Sequence, residues 1–240
     1  MPSAFPRSPR LTKGALVQIL DGVAGPETRV IDFQFNPESI SRKFTSWEPH
    51  QPPEQPEGEA RSDPQVQPYD PEETIDLELL FDATDDLEEP AQNPIAAEHG
   101  VAHRLATLER MLYPVRESGG LRASVGAVLG GSASGAVPRA VVPVVLFSFG
   151  EGLIVPVRIM GFSVTESQHA PSLAPTRATV ALSLKVLTDL AFAEDGVGAQ
   201  SGRAAALARA AYRYTRQQRD NLADADQGDG AGNALSRLPF

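Results

Sequence analysis

The sequence predicts a mainly β fold of the α+β kind: one β-rich domain with a packed helix and a C-terminal helical extension. Three stretches carry that expectation, Phe33–Trp47, Glu73–Asp82 and Val141–Leu187, each of which reads as a β-strand or a strand end. None of them holds a plausible set of reacting groups. A structural or assembly role is therefore expected.

The elements follow in chain order. Residues 1–12 form an N-terminal arm with Pro2, Pro6 and Pro9 among Ser and Arg. Gly14–Leu20 and Thr28–Phe35 are apolar, β-branched or aromatic runs separated by the turn formers of Asp21–Pro26, which predicts a β-hairpin. Alternation in the second run assigns Ile31, Phe33 and Phe35 to the core. Asn36-Pro37 ends the strand, because Pro offers no amide to a ladder and restricts the residue before it. Residues 48–72 interleave prolines with Glu, Gln and Asp and have too few apolar side chains to offset the entropy of ordering, so an extended loop is expected there.

Thr74–Asp82 returns to strict alternation, with Ile75, Leu77 and Leu79 inward and Asp76 and Glu78 outward. A helix is expected over 94–113: Pro94 suits its first turn, and Val101, Leu105, Leu108 and Leu112 form one apolar stripe. Residues 117–137 are rich in Gly, Ser and Ala and read as a loop. Val141–Phe149 and Leu153–Val164 form a strand pair turning at Phe149-Gly-Glu-Gly152, with Pro143 and Pro156 pointing to an edge or a bulge. Thr176–Leu187 alternates well enough for a central strand. Arg203–Leu222 is an Ala- and Arg-rich helix with a thin apolar stripe, expected to project or to dock on a partner, and the tail from Asp224 is polar.

Composition narrows the function. A chain of 240 residues buries a sizeable core without help from metal or disulfide, and it contains no cysteine. The net charge of −10 argues against a phosphate-neutralising, nucleic-acid-binding role. No secretory signal or membrane-spanning run is visible, which predicts a cytoplasmic protein without direct membrane insertion. Acidic residues concentrate in 48–98, while Arg203, Arg209, Arg213, Arg216 and Arg219 cluster near the end, a polarity suited to head-to-tail or ring-like association.

Signals for chemistry are weak. His99 and His103 stand four apart on the expected helix, the spacing of a metal pair, but Gly100 occupies the place where a zincin has Glu. Asp85–Glu89 lacks the alternating ligands and turn glycine of a calcium loop. Gly126–Gly135 lacks the Lys of a phosphate loop, and His50 and His169 lie in turn-like contexts that offer no serine triad. Asp76 and Glu78 share a face as an acid–base pair would, yet no second cluster supports them. No cofactor is expected.

The series Phe35-Asn36-Pro37, Trp47, Leu77–Asp82, Leu105–Pro114, Phe147–Gly150 and Arg177-Ala178 resembles, in the same order, the tube-type domain of the baseplate hub and tube-adaptor proteins of contractile injection systems, the phage-tail-like particles of bacteria. It covers roughly residues 13–190; the order of the pieces, not any one of them, is specific. Members often carry a peptidoglycan-binding LysM module after this domain, whereas residues 191–240 show an Arg/Ala helix and polar tail. The resemblance implies an antiparallel β-barrel or two-sheet sandwich of the phage tail-tube type, forming a hexameric ring of copies. It further implies a non-enzymatic hub or tube-initiating adaptor whose partners are the inner tube protein, the spike protein and baseplate wedge proteins. Phe35, Asn36, Pro37, Trp47, Arg177, Arg209, Arg213 and Arg216 are the candidate subunit-interface residues. An inner-tube or tube-terminating cap protein is the alternative within the same machine; a metal-dependent hydrolase using His99 and His103 is the alternative outside it.

Overall fold

The computed structural model describes residues 12–22, 25–46, 67–114, 142–192 and 203–235. The expectations for the N-terminal arm up to Leu11, for Trp47 and most of the 48–72 stretch, for His50, and for the Gly/Ser-rich loop with Gly126–Gly135 lie outside the described residues.

Seven antiparallel strands form one sheet: β1 (Ala15–Gly22), β2 (Gly25–Asp32), β3 (Ile40–Thr45), β4 (Glu72–Asp82), β5 (Val144–Ser148), β6 (Ile154–His169) and β7 (Pro175–Val186), in the spatial order β2-β1-β5-β6-β7-β4-β3. The expected closed barrel or two-sheet sandwich is corrected: the described strands form a single open sheet, with β2 and β3 as its borders. β7 is central as its alternation predicts, paired to β4 on one side and to β6 on the other. β6 shifts register between Ile159 and Gly161. The hairpin of β5 and β6 turns through Gly150 at a φ of 71°.

The sheet is curled. β2 and β4 are five places apart in the strand order, which in a flat sheet would separate them by roughly 24 Å. Yet Gln34, two residues past the end of β2, donates from Nε2 to the Asp82 carbonyl at 2.6 Å and accepts from the Asp82 amide at 3.0 Å. One side chain thus does what a ladder pair would do, and it pins the ends of β2 and β4 together without closing the sheet.

The inward face holds the main core, where Leu16, Phe33, Ile75, Leu79, Phe81 and Phe147 are fully buried. Three short helices lie over it: α1 (Thr84–Glu88), α2 (Pro94–His99) and α3 (Ala102–Arg110). The single helix expected over 94–113 is broken at Gly100, whose φ of 55° is left-handed and whose added Cβ would stand 2.0 Å from the Pro175 carbonyl oxygen. Val101 donates to that same carbonyl at 2.8 Å, so the break ties the helices to the start of β7. The buried stripe is Val101, Leu105, Leu108 and Met111, with Met111 in the place assigned to Leu112. Met111 and Leu112 donate to residues three back, Leu108 and Glu109, and this tighter winding turns Met111 inward.

A second, smaller core covers part of the outward face. Ile19, Val144 and Phe192, the last from a 3₁₀ turn at Asp189–Phe192, pack with Ala204, Ala205 and Ala208 of α4 (Arg203–Leu235). α4 extends well past the expected end at Leu222. Its Tyr212 belongs to the main core, so one helix joins both apolar clusters.

Candidate interaction surface

The two sheet borders differ in sequence. β3, Ile40-Ser-Arg-Lys-Phe-Thr45, is exposed except for the half-buried Ile40. Its charges are those that natural edge strands use to discourage uncontrolled pairing. On β2, Val30 is 53% exposed. No described strand pairs with the outer side of either border. Phe35, assigned inward by alternation, is 45% exposed instead, because β2 ends at Asp32 and the alternation stops with it.

Where β3 meets α4 the attachment is ionic. The Glu73 carboxylate, 3% exposed, accepts from Arg42 Nε at 2.8 Å and from both terminal nitrogens of Arg219 at 2.9 and 3.0 Å. Both guanidinium groups stand over the Phe44 ring, at 5.3 and 5.6 Å from its centroid, so the exposed phenyl carries two cations. About two turns earlier on α4, the Tyr212 hydroxyl donates to Asp70 at 2.8 Å, and Arg216, one turn before Arg219, reaches the same carboxylate at 3.2 Å. Burial, reinforced by the hydrogen bond to Asp70, pushes the Tyr212 phenol up to about 12. Thr215, itself buried, donates to the Ile154 carbonyl at 2.6 Å and accepts from the Ile154 amide at 2.9 Å, which occupies the start of β6 beyond the reach of β7.

The residues expected at subunit interfaces divide into two groups. Arg177 is bonded to Asp82, with 2.9 Å from its Nε, and Asp82 also accepts from Thr84; the Thr84 bonds, with help from Arg177, hold the Asp82 carboxyl below its usual range. Arg213 pairs with Asp189 at 2.7 Å and Arg216 with Asp70, so these three cations are engaged within the chain. Arg209 is half-buried and forms no ion pair with the described residues. Asn36 is a clamp: its Oδ1 accepts from the Gly14 amide and its Nδ2 donates to the Thr12 carbonyl, both at 2.9 Å.

Phe35, Asn36 and Pro37 also form one wall of a groove of about 910 Å³ on the outward face of β4, β6 and β7. Its lining includes the small residues Gly161, Ala181 and Ser183 beside Leu80 and Phe162, and Asp76 and Glu78 stand in it. A second hollow of about 460 Å³ lies between the end of β3 and the 3₁₀ turn, lined by Tyr69, Lys185 and Leu190 among others.

The histidine pair rested on one continuous helix, and that premise is corrected: His99 ends α2 and His103 belongs to α3. The His103 Nδ1 donates to the Gly100 carbonyl at 2.9 Å, while His99 Nε2 lies 3.8 Å from Glu98. Among the described residues, no group of three or more His, Cys, Asp or Glu is placed to hold a metal ion. Nor is any described helix long and apolar enough to cross a membrane.

Gln34, Glu73 and Phe44 escape a reading of the sequence. Phase offers one clue, since Ile40, Arg42 and Phe44 alternate, but the pairing of Glu73 with Arg219 spans 146 positions and leaves no local trace. No protein-family model matches the chain, and no curated protein matches it in sequence.

Proposed function

We propose that the chain is a structural, non-enzymatic component of a bacterial contractile injection particle, the hub or tube-initiating adaptor that joins the inner tube to the spike and baseplate. The observation that carries this reading is the pair of sheet borders, β2 and β3, whose outer sides no described strand covers. An open antiparallel sheet of this size satisfies those borders by pairing with neighbours, and identical copies in a ring do so without leaving an end. The co-linear resemblance over residues 13–190 supplies the machine in which such a ring has its use. In this reading the outer side of β2, with Val30, and the charged strand β3 meet the adjoining subunits, tube protein, spike and baseplate wedges complete the contacts, and the function needs no cofactor.

The test has two parts. Purified chain, alone and with the inner tube protein, is examined by light scattering and electron microscopy; rings are expected, and Val30→Lys is expected to prevent them while leaving the circular dichroism spectrum unchanged. Particles assembled without the chain should lack tubes. A chain that stays monomeric in both settings while particles form normally without it would overturn the reading; overlong tubes would assign it to the cap instead.

A further inference from the structure

The outward groove and the start of the chain share a residue. Asn36 lines the groove, and the same side chain holds the Gly14 amide and the Thr12 carbonyl. Phe33 donates to the Gly14 carbonyl at 2.8 Å, one step past the pair Ala15 and Asp32. Thr12 is thereby held beside Asn36, at the groove's wall.

The chemistry of the two parts is complementary. The groove presents three carboxylates, Glu38, Asp76 and Glu78, and its lining contains no Lys or Arg. It also presents apolar surface: Phe35 is 45% and Leu80 38% exposed. Residues 1–11 contain Arg7 and Arg10 and no acidic residue, with Phe5 and Leu11 as apolar side chains and prolines that favour an extended backbone. Eleven extended residues reach up to about 36 Å, ample for the groove.

We infer that the groove is the docking site of the chain's own N-terminal arm, residues 1–11, held in cis by its arginines against Asp76, Glu78 and Glu38 and by its apolar side chains against Phe35 and Leu80. The site lies on the outward face of the sheet, not on the outer sides of β2 and β3, and the small residues of its lining, Gly161, Ala181 and Ser183, leave room for an extended segment.

The absence of cysteine permits a direct test in the full chain. Ser8→Cys is combined with Ser39→Cys in the groove wall, leaving every charge in place, and compared with Ser8→Cys combined with Glu109→Cys on α3. Under mild oxidation of dilute protein, the first pair should close an intramolecular disulfide about tenfold faster than the second, because docking raises the effective concentration. Adding Asp76→Asn and Glu78→Gln should remove most of that advantage. In chain with no introduced cysteine, the same two charge removals should speed tryptic cleavage after Arg7 and Arg10 about threefold, the size expected for exposed ion pairs. Equal closure rates for the two cysteine pairs, cross-links found only between chains, or cleavage indifferent to the groove carboxylates would each overturn the inference.

Discussion

The two stretches of α4 that touch the sheet attach by opposite chemistries. Over Ala204–Ala208 the helix packs the methyl groups of Ala204, Ala205 and Ala208 against Ile19, Val144 and Phe192, a contact that small side chains make close. Over Tyr212–Arg219 it is held by a phenol, a threonine hydroxyl and two guanidinium groups against Asp70, Ile154 and Glu73. The first stretch gives adhesion without direction. The second gives direction: the bidentate Arg219–Glu73 bond is met in one rotation and one register of the helix. A buried ion pair adds little net stability over an apolar replacement, so its value here lies in fixing where the helix sits.

The largest effect should come from breaking the apolar stretch. Ala208 is fully buried, and Ala208→Asp places an unpaired carboxylate there, at a cost of about 3 kcal/mol or more in urea unfolding. That loss should be insensitive to salt; recovery in high salt would show that the contact is not dry. Glu73→Gln, next in size, leaves Arg42 and Arg219 without their carboxylate and should cost about 2 kcal/mol at low ionic strength, less as salt screens the two partly exposed cations. If salt left the difference between wild type and variant unchanged, the ionic character assigned to this stretch would be wrong.

The smallest effect sharpens the contrast through pH. Tyr212→Phe removes one hydrogen bond to a carboxylate and should cost about 1 kcal/mol near neutrality. Because the folded phenol is raised to about 12 from the ordinary 10, the wild-type contribution is whole below pH 10 and is lost as pH climbs through 12. The difference between wild type and Tyr212→Phe should therefore shrink across that window. At the acid end the sign reverses for Asp82: its lowered pKa contributes stability above the ordinary carboxylate range, lost as pH falls through the folded value.

The same contrast separates what could be read in the sequence from what could not. β4 and β7 were legible because each buries one face and exposes the other, and period-two alternation is the direct record of that geometry. Their neighbour β3 hides its strand character behind Ser41, Arg42 and Lys43, as a border must. The apolar stripe of α3 is legible in the sequence apart from its last member, since Gly100 and the tight final turn alter the winding that a uniform 3.6-residue period assumes. For α4 the thin stripe is legible, but its partners lie in distant strands; of the four arginines expected at interfaces, Arg177 on β7 and Arg213 and Arg216 on α4 bond to carboxylates within the chain. Of the eight residues expected at interfaces, Phe35 and Pro37 remain at an accessible groove wall, while Asn36 serves mainly to hold the chain's start.

Because the Glu73 clasp falls at Arg219, the helix beyond it behaves as a cantilever. Asp220–Asp226 are exposed and the helical backbone continues to Leu235, sixteen residues past the clasp, or about 24 Å of arm. A sideways pull at its tip acts on the Arg219 bonds first and reaches the alanine contacts only after they yield. A load arriving there would open the helix from the sheet in a fixed sequence, charged clasp before oily seam.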